Sequence, residues 1–304
     1  MTRNFAWPFG FVIIASLFAC PVVASAQAWI QLNPVSQTPP GILSHAAVYD
    51  PGTNEMIVVG GVSENHVSHN EVWILSNANG VGGTPTWTLL SPTGGPLPTR
   101  GNHSAVYDPG TNRIIVFGGF PGGASDLAFG DVWVLTNANG LGGVPQWMQL
   151  SPTGGGPNLA EHTAIYDPST NRMTVFGGCS GTPSNCGNFV SNNVWVLTNA
   201  NGLGGTPQWI QLSPGGVLPT ARTLHSAVYD PSSNTMIIFG GNLYLNDTWV
   251  LTSANGLGGT PQWSQLLPVG LLPPARNSHT AVYHSETNRM TVFAARPFAR
   301  ARGE

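Results

Sequence analysis

Five histidines recur in one sequence setting, and a ring of histidines could hold a metal or move a proton. His45, His103, His162, His225 and His279 each open a block of the form HSAVYDP, at intervals of 58, 59, 63 and 54 residues. Imidazole is a common metal ligand and titrates near neutral pH. The regular recurrence argues for a duller role. Equivalent positions in equivalent units stand apart around a ring, so each histidine is expected to bond a backbone group within its own unit. A second set lies in one loop, GVSENHVSHNEV, where Glu64, His66, His69 and Glu71 have ligand types suited to a divalent metal. A solvated turn has the same composition, because no diagnostic ligand spacing accompanies it.

Other chemistry is sparsely supported. Cys179 and Cys186, in CSGTPSNC, form a close pair expected to bridge in an oxidising compartment, with no His or Asp between them to favour a metal. There is no Gly-x-Ser-x-Gly elbow for a serine nucleophile. Most aspartates sit in Asp-Pro turns, so no carboxylate pair for glycoside cleavage stands out. The NANGLGG segments have oxygen ligands but no carboxylates, and a glycine-rich hairpin connection explains them more simply than calcium.

The elements that must position these residues are repeats. After each histidine block comes an apolar run: EMIVVGG, RIIVFGG, RMTVFGG, TMIIFGG and RMTVFAA. Four copies continue with VWIL, VWVL, VWVL and TWVL, at residues 72, 132, 194 and 248. A tryptophan strand recurs as WIQL at Trp29, WTLL at Trp87, WMQL at Trp147, WIQL at Trp209 and WSQL at Trp263. The unbroken apolar runs read as strands buried on both faces, and HSAVYD and WIQL alternate as half-exposed strands do. DPGTNR and its copies are tight reversals. Four short antiparallel strands per repeat describe a propeller blade, and blades seal one another's apolar faces around an axis.

The repeats resemble those of the Kelch family. The matching marks are the double glycines Gly60-Gly61, Gly118-Gly119, Gly177-Gly178 and Gly240-Gly241. With them go Asn70-Glu71, Gly130-Asp131, Asn192-Asn193 and Asn246-Asp247, and the strand aromatics Trp73, Trp133, Trp195 and Trp249. The resemblance implies an all-β, Kelch-type β-propeller over residues 27–293, with about five blades of four antiparallel strands. The apolar RIIVF-type strand is expected innermost, where glycine permits close backbone approach. The fifth repeat breaks after RMTVF into AARPFARARGE, so its blade is completed by N-terminal strands at Trp29 and His45 or left incomplete. Residues 294–304 read as an irregular basic tail resembling a frameshifted end.

The resemblance also implies that the entry to each histidine strand faces one end of the channel, where ligands bind. Arg100, Arg222 and Arg276 lie three residues before a histidine, where the other repeats have Ile42 and Leu159. With Asn102, Glu161 and Asn277 they form a candidate ligand surface, against which stands the alternative of a salt bridge or strand cap. The divergent loops GVSENHVSHNEV, FPGGASDLAFGD, CSGTPSNCGNFVSNN and NLYLND are where recognition is expected on a repeated scaffold.

The 304-residue chain is 8% charged, has no lysine and carries a net charge of −3, which gives nucleic acid no positive footprint to bind. Residues 1–26 read as an export signal, with Arg3, an apolar core and a cleavage site at Ala24-Ser25-Ala26. Cys20 in LFAC is a loose match to a lipid-anchor motif, with Phe18 and Pro21 against it. No later segment has spanning length. The expectation is a secreted or periplasmic, monomeric scaffold for an unidentified protein or glycan, with no cofactor. A carbohydrate-active enzyme on the same fold, galactose-oxidase-like or sialic-acid-isomerase-like, is the alternative. Oxidase chemistry finds little support, since only Tyr244 lies outside the repeat motif.

Overall fold

A computed structural model describes residues 30–123, 126–243 and 245–293. The signal segment, Cys20, Trp29, Tyr244 and the basic tail lie outside the described residues. Every element below belongs to the unit from Leu32 onward.

The described chain is built of five successive antiparallel sheets. The first comprises Ala46–Asp50, Glu55–Ser63, Ser68–Ser76 and Thr86–Leu89; the second Ser104–Asp108, Arg113–Phe117, Val132–Thr136 and Gln146–Leu150. The third comprises Thr163–Asp167, Arg172–Phe176, Val194–Thr198 and Gln208–Leu212; the fourth Ser226–Asp230, Thr235–Gly241, Leu245–Thr252 and Gln262–Leu266. The fifth has two strands, Thr280–His284 and Arg289–Phe293. Short segments extend these sheets. Thr93–Gly94 and Gly215–Gly216 each run parallel to the outermost strand of the following blade.

The first strands of successive blades touch one another, so the HSAVYD-type strand is innermost. This corrects the expectation that RIIVF lies at the axis. RIIVF is second in its sheet, and its apolar run reflects a blade on either side. Ile114 and Val116 pack in a cluster with Ile57, Val59, Ile74 and Trp147, between the first and second blades. Ile115 and Phe117, on the opposite face, pack with Met173, Val175, Leu197 and Trp209 of the third. A third cluster joins Phe176 and Val194 to Met236, Leu251 and Trp263 of the fourth. The core therefore lies between blades.

The double glycines serve the same contacts. Gly118 has φ of 66°, and a Cβ there would collide with the Leu159 carbonyl of the next blade. Gly119 donates its N–H to that carbonyl at 2.8 Å.

The N-terminal strand at His45 does not complete the fifth blade. Ala46–Asp50 pairs in full register with Glu55–Val59, as the inner strand of the first blade. The last blade is thus the incomplete one among the described residues.

Candidate functional site

One residue before each histidine, the chain turns through the left-handed region. Ser44, Asn102, Glu161, Leu224 and Ser278 have φ of 54°, 56°, 56°, 56° and 52°. Side chains other than glycine, and leucine above all, adopt that conformation at a cost of order 1 kcal/mol, so the surroundings must enforce it. From Asn102 onward, each N–H reaches back to the preceding blade. Asn102 donates to the Ser44 carbonyl at 2.9 Å, Glu161 to Asn102 at 2.9 Å, Leu224 to Glu161 at 3.1 Å and Ser278 to Leu224 at 2.9 Å. The five residues, with the five histidines, line a funnel of about 320 Å³ at one end of the inner strands.

Three of the five histidines form a second belt, between blades and not within them as expected. His162 Nε2 lies 2.8 Å from Ser104 Oγ, His225 Nε2 2.7 Å from Thr163 Oγ1, and His279 Nε2 2.8 Å from Ser226 Oγ. Ala46 is the first blade's counterpart of Ser104, Thr163 and Ser226, and neither ring nitrogen of His103 makes a well-formed hydrogen bond. Burial holds the rings of His103, His162, His225 and His279 neutral. The His103 and His162 pKa values are lowered to about 3 and that of His279 to about 4. His225 also lies well below its usual value, through burial and then the nearby Arg222. Glu161 is then the one carboxylate among the residues lining the funnel. Burial raises its pKa, while a hydrogen bond from Thr223 opposes the rise.

Arg100 and Arg222 do not face the funnel. Both side chains are fully buried. Arg100 makes a two-pronged pair with Asp131 at 2.8 and 2.7 Å and donates to the carbonyls of Pro98 and Gly118. Arg222 repeats this with Asp247, Thr220 and Gly240. Trp133 donates to Asp131 and Trp249 to Asp247, each at 2.6 Å. These arginines pin the entry loop to its own blade, which removes them from the ligand surface. The pairing follows the sequence: repeats with Ile42 or Leu159 in place of Arg carry Glu71 or Asn193 in place of Asp. Arg276 and Asn277 are half-buried at the same entry in the fifth repeat, where Arg276 Nε donates to Pro274.

The first loop does not assemble a metal cage. His69 Nδ1 pairs with Glu71 at 3.1 Å. Glu64 and His66 line a separate groove, which also takes in Ser44, Asn102, Phe120 and Pro183. Among the described residues, only Glu161, Cys179 and Cys186 bring three ligand-type atoms within 4.8 Å of one another. Those cysteines are joined in a disulfide, and its sulfur at Cys186 lies 3.4 Å from the Glu161 carboxylate. The bridge fixes the third blade's divergent loop beside the funnel, above a small cluster of Phe120, Ala128 and Ala160.

At the opposite end of the inner strands the turns are uniform. In the second, third and fourth blades the asparagine before this turn's first glycine bridges to the preceding blade's Asp-Pro turn: Asn139 to Asp50 at 3.0 Å, Asn201 to Asp108 at 2.8 Å, Asn255 to Asp167 at 2.7 Å. Sequence reasoning missed this role, and also the hydroxyl belt, whose signal was Ser or Thr after four of the five histidines. Burial alone would raise the Asp50 and Asp167 carboxyls, but these and neighbouring hydrogen bonds outweigh it and hold both below the usual range.

Residues 21–157 and 82–294 match the KLHDC2/KLHL20/DRC7 Kelch-repeats domain. The chain belongs to the Kelch-repeat family. It is 28% identical to host cell factor 1 of Rattus norvegicus over 287 residues, covering 85% of this chain and 13% of that one. It is also 28% identical to host cell factor 2 of Homo sapiens over 257 residues, covering 78% of this chain and 28% of that one. The Kelch chain thus spans a small part of these relatives' length. Among solved structures, that of YjhT superposes with a TM-score of 0.56 at 16% identity, covering 82% of this chain and 71% of the other, a likeness of fold. A Kelch propeller of this kind is consistent with a binding scaffold. No helix among the described residues is long and apolar enough to cross a membrane.

Proposed function

We propose that this Kelch propeller is an exported binding scaffold for a protein or glycan, and that it binds at the funnel end. The observation that carries the reading is a coincidence of place. Second strands end, and inner strands begin, at the same end of each blade, so the divergent loops surround the funnel. The loops of the first blade, through Glu64 and His66, and of the second and third, through Phe120 and Pro183, share one groove with Asn102 and Ser44. Variable loops on a rigid repeat are the usual seat of recognition. The funnel offers Asn102, Ser44 and Ser278 as polar groups and Glu161 as its charge. A lone carboxylate does not supply the facing pair that acid–base cleavage of a glycoside requires, which favours binding over the carbohydrate-active alternative.

The test is a glycan array and a displayed peptide library probed with the purified chain, followed by titration of hits against Glu161→Gln and Asn102→Ala. At least tenfold weaker binding, about 1.4 kcal/mol, with an unchanged melting temperature is expected. Hits that bind both variants equally, yet respond to changes in the NANG turns, would overturn the reading. Export is checked separately, by finding Gln27 at the N-terminus of the secreted protein.

A further inference from the structure

The funnel and the groove beside it are continuous, because Ser44 and Asn102 line both. Their chemistry differs. The funnel is lined mainly by polar residues, with Glu161 as its one carboxylate. The groove, of about 300 Å³, is lined by apolar Leu43, Val62, Phe120 and Pro183 and carries a second carboxylate, Glu64. Leu43 is 65% exposed, so apolar surface there faces solvent. No lysine or arginine lines either concavity. Arg100 and Arg222 are held by Asp131 and Asp247, and the buried histidines are neutral. Among the described residues no ion pair reaches Glu161. Burial raises its pKa, since no positive charge nearby offsets the lost water. An anionic ligand would meet only repulsion here. A neutral ligand would strip more water from the carboxylate and return nothing, whereas a cation pairs with it as both are desolvated.

We propose, resting on the funnel as the binding end, that the ligand is a basic peptide segment of a partner protein. One arginine or lysine side chain enters the funnel toward Glu161, and a neighbouring apolar side chain lies in the groove against Leu43 and Val62. The cation forms charge-assisted hydrogen bonds with the carboxylate, and the oxygens of Ser44, Asn102 and Ser278 stand ready to accept its remaining N–H groups. The groove supplies apolar contact that tells one basic segment from another. An amino sugar offers the cation but no aliphatic branch to cover Leu43 and Val62, so a peptide fits both concavities and a glycan only one.

The probes are blocked heptapeptides of glycine and serine that carry one leucine and one basic residue at varied spacing, titrated into the full-length protein by calorimetry at low salt. Saturable, sub-millimolar binding is expected for at least one spacing. Replacing arginine by citrulline, or lysine by acetyl-lysine, should weaken it at least tenfold, a comparison that leaves the protein untouched. In protein carrying Glu161→Gln the preference for the charged side chain should fall below about twofold. Leu43→Ser should keep that preference and remove the advantage of leucine over serine in the peptide. The proposal fails, with the funnel reading intact, if the neutral peptides bind at the funnel as well as the basic ones, or if only acidic peptides or amino-sugar glycans bind there. It also fails if peptides bind only protein lacking residues 294–304, since the chain's own basic tail would then be the occupant. Peptide binding that neither Glu161→Gln nor Leu43→Ser alters would overturn the funnel reading as well.

Discussion

The two ends of the inner strands are fastened by different chemistry. At the turn end, neutral asparagines hold aspartates across the first three blade junctions, and the motif hardly varies from Asn139 to Asn201 to Asn255. At the funnel end, histidines hold hydroxyls, and the residue that lines the axis changes from Ser44 to Asn102, Glu161, Leu224 and Ser278. The contrast teaches that the scaffold separates its tasks. Uniformity at one end keeps the blades in register, and the other end is free to diverge because its fastening uses backbone groups and rings set behind the variable side chains.

Acid should break the comparison most strongly. A buried histidine whose folded pKa is depressed is neutral in the folded chain and charged in the unfolded chain below pH 6.5. Stability is therefore unaffected above pH 6.5 and falls as pH drops from there toward the folded value. At pH 5, His103 and His162 are each expected to cost about 2 kcal/mol, with His225 and His279 acting in the same direction. The turn end has no counterpart in this window, since Asp50 and Asp167 titrate below the usual carboxylate range. Amide exchange measured at pH 7 and pH 5 should show protection lost first around Ser104, Thr163 and Ser226. Equal loss at both ends would refute the distinction.

Removing a turn-end fastener comes next in size. Asn201→Ala takes away the bond to Asp108 and the acceptor used by Asn171 and Leu203, and leaves each of these groups one partner short. A loss of about 2 kcal/mol in denaturant titration is expected, with funnel binding retained by the folded fraction. The smallest effect sharpens the funnel end. Ala46→Ser gives His103 the hydroxyl that the other buried histidines have, and should raise stability by about 1 kcal/mol. No gain would mean that the hydroxyl belt contributes little.

Much of this architecture was legible in the residues, for reasons that can be named. Strand periodicity, Asp-Pro reversals and the recurrence of Gly-Gly and Trp are local signals that identified the repeats, and the close spacing of two cysteines identified the Cys179–Cys186 bridge. The innermost strand was misplaced because burial on both faces looks alike whether it comes from an axis or from flanking blades. Arg100 and Arg222 were ambiguous as single residues, although the matching Asp131 and Asp247 carried the answer. The partners of the histidines were hidden by distance: Ser104 and His162 are 58 residues apart, and only the curl of the ring brings them together.

Along the axial belt every N–H points backward, from Asn102 to Ser44 and onward to Ser278, one repeat at a time. A unit copied within the gene would therefore arrive with its donor and its acceptor already facing the right way. Length can then change by tandem duplication or loss without redesigning any junction, and a ring of different size needs only a small change in the angle between neighbours.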